Sequence, residues 1–210
     1  MSAAAAPLFR EEHARREADR LSMFVFLGSE IMLFGGLIAL LAFDRIHHPA
    51  AAGVAAQHLK IWLGTANTAV LLTSSLLVAV AALMARAGQV RGVVANLIAA
   101  ALLGLVFLGI KGVEYRLEYL EGLFPVIGPP SPLGDRPAQL FIGLYFIATA
   151  LHAIHVSVGI GLLGWTATAV RRRKLSMPQH RTTVHIVGLY WHLVDVIWIF
   201  LYPMLYLARP

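Results

Sequence analysis

Tyr190-Trp191-His192-Leu193-Val194-Asp195-Val196-Ile197-Trp198-Ile199-Phe200-Leu201-Tyr202-Pro203 sits inside an apolar run from Thr183 to Ala208. At about 100° per residue, His185, Gly188, His192, Asp195, Ile199, Tyr202 and Tyr206 share one side of a helix, and Val194, Ile197, Leu201, Met204 and Leu205 share the other. The pattern predicts a membrane helix with a polar seam turned into protein and a lipid-like back. A carboxylate midway along such a helix costs roughly 2.5 to 3.5 kcal/mol on insertion scales, so Asp195 is expected to face protein and find a partner. His192, one turn back, is the nearest candidate. Pro203 removes a backbone bond to Ile199 and is expected to kink the helix near its end.

The rest of the chain has the same character. Hydrophobic residues make up 59% and charged ones 13%, against about 25% charged in a soluble domain, and mean hydropathy is +0.73. These values identify an integral membrane protein. With 0 cysteines, disulfides, zinc thiolates and iron-sulfur clusters are excluded, and any metal would need histidine, carboxylate or a prosthetic group. The formal charge of +6 does not point to nucleic acid, because the basic residues lie in loops between apolar runs, where membrane topology accounts for them.

A span needs about 20 apolar residues. Leu21 to Phe43, Ile61 to Ala85, Val93 to Tyr115, Leu140 to Val170 and Thr183 to Ala208 qualify, predicting an all-α polytopic bundle of five transmembrane helices over 21–210. Residues 1–20, dense in Arg and Glu, read as a cytosolic segment retained in the mature protein, since the first apolar stretch is longer than a signal-peptide core. Lys and Arg concentrate in the N-terminus, the second loop (Arg86, Arg91) and the fourth (Arg171, Arg172, Arg173, Lys174, Arg181). This places the N-terminus inside and the C-terminus outside. The Pro- and Gly-rich stretch from Glu121 to Pro137 predicts an ordered or extended outer connection.

Ionisable residues within spans are functional candidates that also have structural readings. Glu30 lies about ten residues into the first span, roughly 15 Å along it. It is read either as a packing carboxyl or as a group in proton handling or subunit contact. Asn67, Thr68, Thr73, Ser74 and Ser75 read as interhelical packing groups. Lys111 and Glu114 are expected to pair at the outer boundary, with Glu118 and Glu121 running out into water. Tyr145, Ala148, His152, His155 and Gly159 form one stripe on the fourth span, while Ser157, Gly161 and Gly164 offer small surfaces for close approach. A bis-histidine haem would need facing histidines at matched depth, with His152 or His155 opposite His185 or His192. Because His152 and His155 share one helix and His192 has Asp195 near it, a satisfied structural seam of His152, His155, His185, His192 and Asp195 is the preferred reading. There is no convincing non-haem metal spacing, phosphate loop or nucleophilic triad.

The run Tyr190-Trp191-His192-Leu193-Val194-Asp195-Val196-Ile197-Trp198 closely resembles the signature of subunit III of haem-copper oxidases, the cytochrome c oxidase type. Ser29-Glu30, Asn67-Thr68 through Leu71-Leu72-Thr73-Ser74, Glu114-Tyr115, and His152-Ala153-Ile154-His155-Val156 with Gly159 resemble that family's other motifs, in the family's order and on all five helices. The resemblance implies a non-catalytic subunit of a terminal oxidase in the bacterial cell membrane, with no catalytic, cofactor or metal residues of its own. It would pack on the catalytic subunit, which holds the haems and copper, stabilising it and supporting proton uptake, with bound phospholipid a further expectation. Glu30 matches the family's carbodiimide-reactive carboxylate, and His192 and Asp195 its signature pair. The chain departs from the long form in lacking two leading helices, in having Lys111 in place of glutamine, and in having His185 where a carboxylate is common. A subunit III-like accessory protein of nitric oxide reductase and a freestanding haem b electron carrier are the alternatives.

Overall fold

The computed structural model describes residues 5–124, 133–175, 177 and 179–207, with the backbone alone for 5–20. Six helices follow in order: α1 (Ala5–His47), α2 (Pro49–His58), α3 (Ile61–Arg86), α4 (Val90–Leu120), α5 (Arg136–Arg171) and α6 (Arg181–Tyr206). Five have stretches long and apolar enough to cross a membrane, namely Leu21–His47 of α1 and all of α3, α4, α5 and α6. The chain is an all-α, polytopic bundle, and its helices run beyond the expected spans. At about 1.5 Å per residue, the 36 residues of α5 outreach the hydrocarbon core, which is about 30 Å thick.

The loop expected after the first span contains a helix. Pro49 opens α2 at a first-turn position, where its missing N–H costs nothing. The buried residues of α2, Ala52, Gly53, Ala55 and Ala56, are small enough to let it lie close against α5. Of the outer connection from Glu121 to Pro137, residues 125–132 lie outside the described residues. Arg136 and Pro137 already belong to α5.

Tight caps join the spans. Gln89 N–H donates to Met84 O and Gly88 N–H to Ala85 O at the end of α3, and Leu123 to Glu118 and Gly122 to Tyr119 at the end of α4. In both, a glycine takes the left-handed conformation, Gly88 at φ 71° and Gly122 at φ 74°, as this cap requires. The end of α5 uses the same bonds, Lys174 to Ala169 and Arg173 to Val170, with Arg173 at φ 56°. A side chain there costs about 1 to 2 kcal/mol.

α6 is the centre of the bundle, packing against α1, α3 and α5, while α4 is wedged between α3 and α5. The expectation of a lipid-like back on α6 is wrong: Val194, Ile197, Leu201 and Leu205 are buried, and Val196, Ile199 and Phe200 face outward. Lipid tails are as apolar as leucine, so hydrophobicity does not distinguish the two sides of a membrane helix. The helix also continues through Pro203 to Tyr206.

Close approach at the core depends on two glycines. A Cβ at Gly104 would lie 2.8 Å from Trp191 Cη2, and one at Gly159 would lie 2.7 Å from Trp191 Cε3. α4 and α5 thus form a notch for the Trp191 indole. Gly161 and Gly164, expected to make close approaches, meet nothing within 4 Å. Gly159→Ala is therefore expected to destabilise the protein by about 1 to 3 kcal/mol through overpacking, and Gly161→Ala by nothing measurable. Thermal unfolding in detergent distinguishes the two.

Candidate functional site

The charged residues of α4 turn inward. Lys111 is 4% exposed and Glu114 and Glu118 are 0%, whereas the apolar Val113, Leu117 and Leu120 on the other side of α4 are exposed. The expected boundary pair of Lys111 and Glu114 is therefore an interior one, and Glu118 does not run out into water. The reason is the solvent: around a membrane helix the apolar face seeks lipid and the charged face seeks protein.

Lys111 Nζ donates to Glu114 Oε2 at 2.9 Å, to the Tyr145 hydroxyl at 2.9 Å and to the Tyr206 hydroxyl at 2.8 Å, using all three of its N–H groups. Tyr206 in turn donates to Glu114 Oε1 at 2.7 Å, and Tyr145 to Glu118 Oε1 at 2.7 Å. The ammonium also lies 5.3 Å from the Trp198 ring centroid, within cation–π range. The last turns of α4 and α6 and the first third of α5 are locked together by this group, which closes one end of the bundle. Glu121, beyond it, is surface-exposed and bonded to Lys60 at 2.6 Å.

At mid-bundle, Glu30 of α1 meets His155 of α5, with Oε2 2.8 Å from Nε2 and side chains 13% and 14% exposed. His155 Nδ1 is 2.8 Å from Leu151 O, while the contact with Glu30 has ion-pair distance without a well-aligned hydrogen bond at Glu30 Oε2. Tyr190 donates to His155 O at 3.0 Å, tying α6 to the same turn.

The His192–Asp195 pair does not form. His192 Nδ1 is 2.6 Å from Ser75 Oγ on α3. The Ser75 hydroxyl also acts on Asp195, but neither Asp195 oxygen has a well-formed hydrogen bond among the described residues. Ser75, on the facing helix α3, takes the contact that the spacing along α6 alone would assign to Asp195. His152, expected to be satisfied, is fully buried with no hydrogen bond at either nitrogen among the described residues. Its ring packs at 5.1 Å from Trp198 and 5.5 Å from Phe107. His185 is exposed, lining a cavity with Arg86, Arg181 and Thr182, and is not part of an interior seam.

The uncharged groups of α3 behave as glue with two exceptions, one of them Thr73, which is exposed and donates to Ala69 O of its own helix at 2.8 Å. Ser74 donates to Ala100 O on α4 at 3.0 Å, and Thr68 accepts from Trp198 Nε1 at 3.0 Å. Buried Asn67 has no hydrogen bond among the described residues. The sequence reading also missed Asp44, buried near the end of α1 and 3.2 Å from His48 Nδ1. Its signal was the i, i+4 spacing to His48.

With this geometry in place, similarity to known proteins is informative. The sequence profile of cytochrome c oxidase subunit III matches residues 9–209. The chain belongs to that family. It is 31% identical over 199 residues to the cytochrome c oxidase subunit 3 of Thermostichus vulcanus, covering 93% of this chain and 91% of the relative. It is 32% identical over 188 residues to the quinol oxidase subunit 3 of Bacillus spizizenii, covering 89% of this chain and 85% of the relative. As a haem-copper oxidase subunit III, the chain is a component of oxidase complexes, and its polar groups are to be judged by what they hold together.

For the Lys111 group this gives a direct expectation. Lys111→Met leaves Glu114 buried without its cation and should cost about 3 to 5 kcal/mol. Adding Glu114→Gln should recover most of that loss. A double-mutant cycle on thermal stability checks both.

Proposed function

We propose that this subunit packs on the catalytic subunit of a haem-copper terminal oxidase, stabilises it, and supports proton uptake during oxygen reduction. The supporting observation is the Glu30–His155 pair, 2.8 Å apart and incompletely covered by the chain itself. It lies at mid-membrane depth on α1, the least buried of the five spans. A partly open ionisable pair at this depth is expensive in lipid, and a neighbouring subunit laid over α1 would complete its enclosure.

On this reading, the haems and copper reside in the partner subunits, no side chain of this one is catalytic, and phospholipid fills the remaining grooves. The complex lies in the bacterial cell membrane with the N-terminus cytoplasmic and the C-terminus outside, a reading supported by the excess of Lys and Arg on the first, third and fifth extramembrane segments.

Glu30→Gln is expected to lower proton-pumping yield or shorten the turnover lifetime of the intact complex without bleaching any haem. Unchanged turnover and pumping would confine Glu30 to packing. The orientation is tested separately on the cysteine-free chain. A cysteine placed at Arg172 should resist a membrane-impermeant maleimide in intact cells, and one at Asp135 should react. The opposite pattern would invert the topology.

A further inference from the structure

The Lys111 group contains one more buried carboxylate than it has cations to balance. Lys111 spends its N–H groups on Glu114, Tyr145 and Tyr206, and the Tyr206 and Tyr145 hydroxyls are committed to Glu114 Oε1 and Glu118 Oε1. Glu114 therefore receives a bond at each oxygen, one of them from the ammonium. Glu118 receives one bond, from a neutral phenol, and its Oε2 is buried with no hydrogen-bond partner among the described residues.

The groups facing Glu118 can be named element by element. On α4 they are Lys111, Glu114 and Tyr115, with Glu121 just past its end and Tyr145 from α5. Tyr206 from α6 completes the group, and Lys60 is drawn off by Glu121 at the surface. Lys111 is the single cation among those that are buried, and its charge is met by Glu114. An ionised Glu118 would leave an uncompensated negative charge in a dry interior, the situation that buried groups escape by taking up a proton.

We propose that this group is a proton-binding site holding one proton on the Glu118 carboxyl, so that Lys111, Glu114 and Glu118 together are electrically neutral. Oε2 is the atom that carries the proton. This assignment is independent of the electron donor and of the role given to Glu30.

The test uses the assembled oxidase complex and infrared difference spectroscopy at neutral pH. Subtracting the spectrum of Glu118→Gln from that of the wild type should leave the C=O stretching band of a protonated carboxylic acid, shifted down in heavy water. Glu114→Gln should abolish the same band, because Glu118 must then ionise to balance Lys111. Glu118→Gln replaces a neutral acid by a neutral amide of the same shape, so normal assembly is expected. Loss of an ionised carboxylate band in Glu118→Gln, persistence of the acid band in Glu114→Gln, or failure of Glu118→Gln to assemble would each overturn the assignment.

Discussion

A helix surrounded by lipid gains little from burying apolar surface against another helix, so the bundle relies on close packing and on polar groups that find each other across helices. Every contact of α6 with its neighbours follows this rule. Trp198 donates to Thr68 and His192 meets Ser75 on α3, while Tyr190 reaches His155 O on α5. Tyr206 joins the Lys111 group at its end. These links are spread over successive turns, so that they fix the helix in rotation as well as in depth.

The Lys111 group is the most demanding of these devices. A buried ion pair seldom adds net stability, because desolvating both charges offsets their attraction. What it does add is a steep penalty for misplacement. Lys111 is satisfied only when Glu114, Tyr145 and Tyr206, borne on α4, α5 and α6, arrive together. Shifting any one helix by a turn leaves a bare ammonium or carboxylate. Registry of the bundle end is therefore encoded in polar complementarity, while the glycine notch for Trp191 sets the spacing at its middle.

The five spans were legible because membrane length leaves a plain mark in sequence. The helix α2 was not, since ten residues rich in alanine have neither the length nor the contrast to separate them from a loop. Site residues were legible as a set of types but not as pairs. Glu30 and His155 were both visible, yet nothing in the spacing along one helix tells which residue of another helix will stand opposite. The two misreadings of faces have different causes. On α4, a helix rule taken from soluble proteins sends charge to solvent, whereas here Val113 and Leu117 face outward and Glu118 faces in. On α6, apolar character does not tell a side that meets lipid from one that packs on a neighbouring helix.

The signature run on α6 shows how a strongly marked motif arises without chemistry. Its two tryptophans are held in different ways. Trp198 is anchored by its N–H on Thr68 and stands edge-on to Phe107 at 5.0 Å. Trp191 has no bond to its N–H among the described residues and depends on the shape of the notch between Gly104 and Gly159. An indole that forgoes its hydrogen bond in a buried site carries a polar cost. That cost is tolerable only if contact with the two backbones exceeds it, and a Cβ on either glycine would remove the contact. The motif and its glycines thus form one unit across α4, α5 and α6, and the identities at Trp191, Gly104 and Gly159 follow from packing alone.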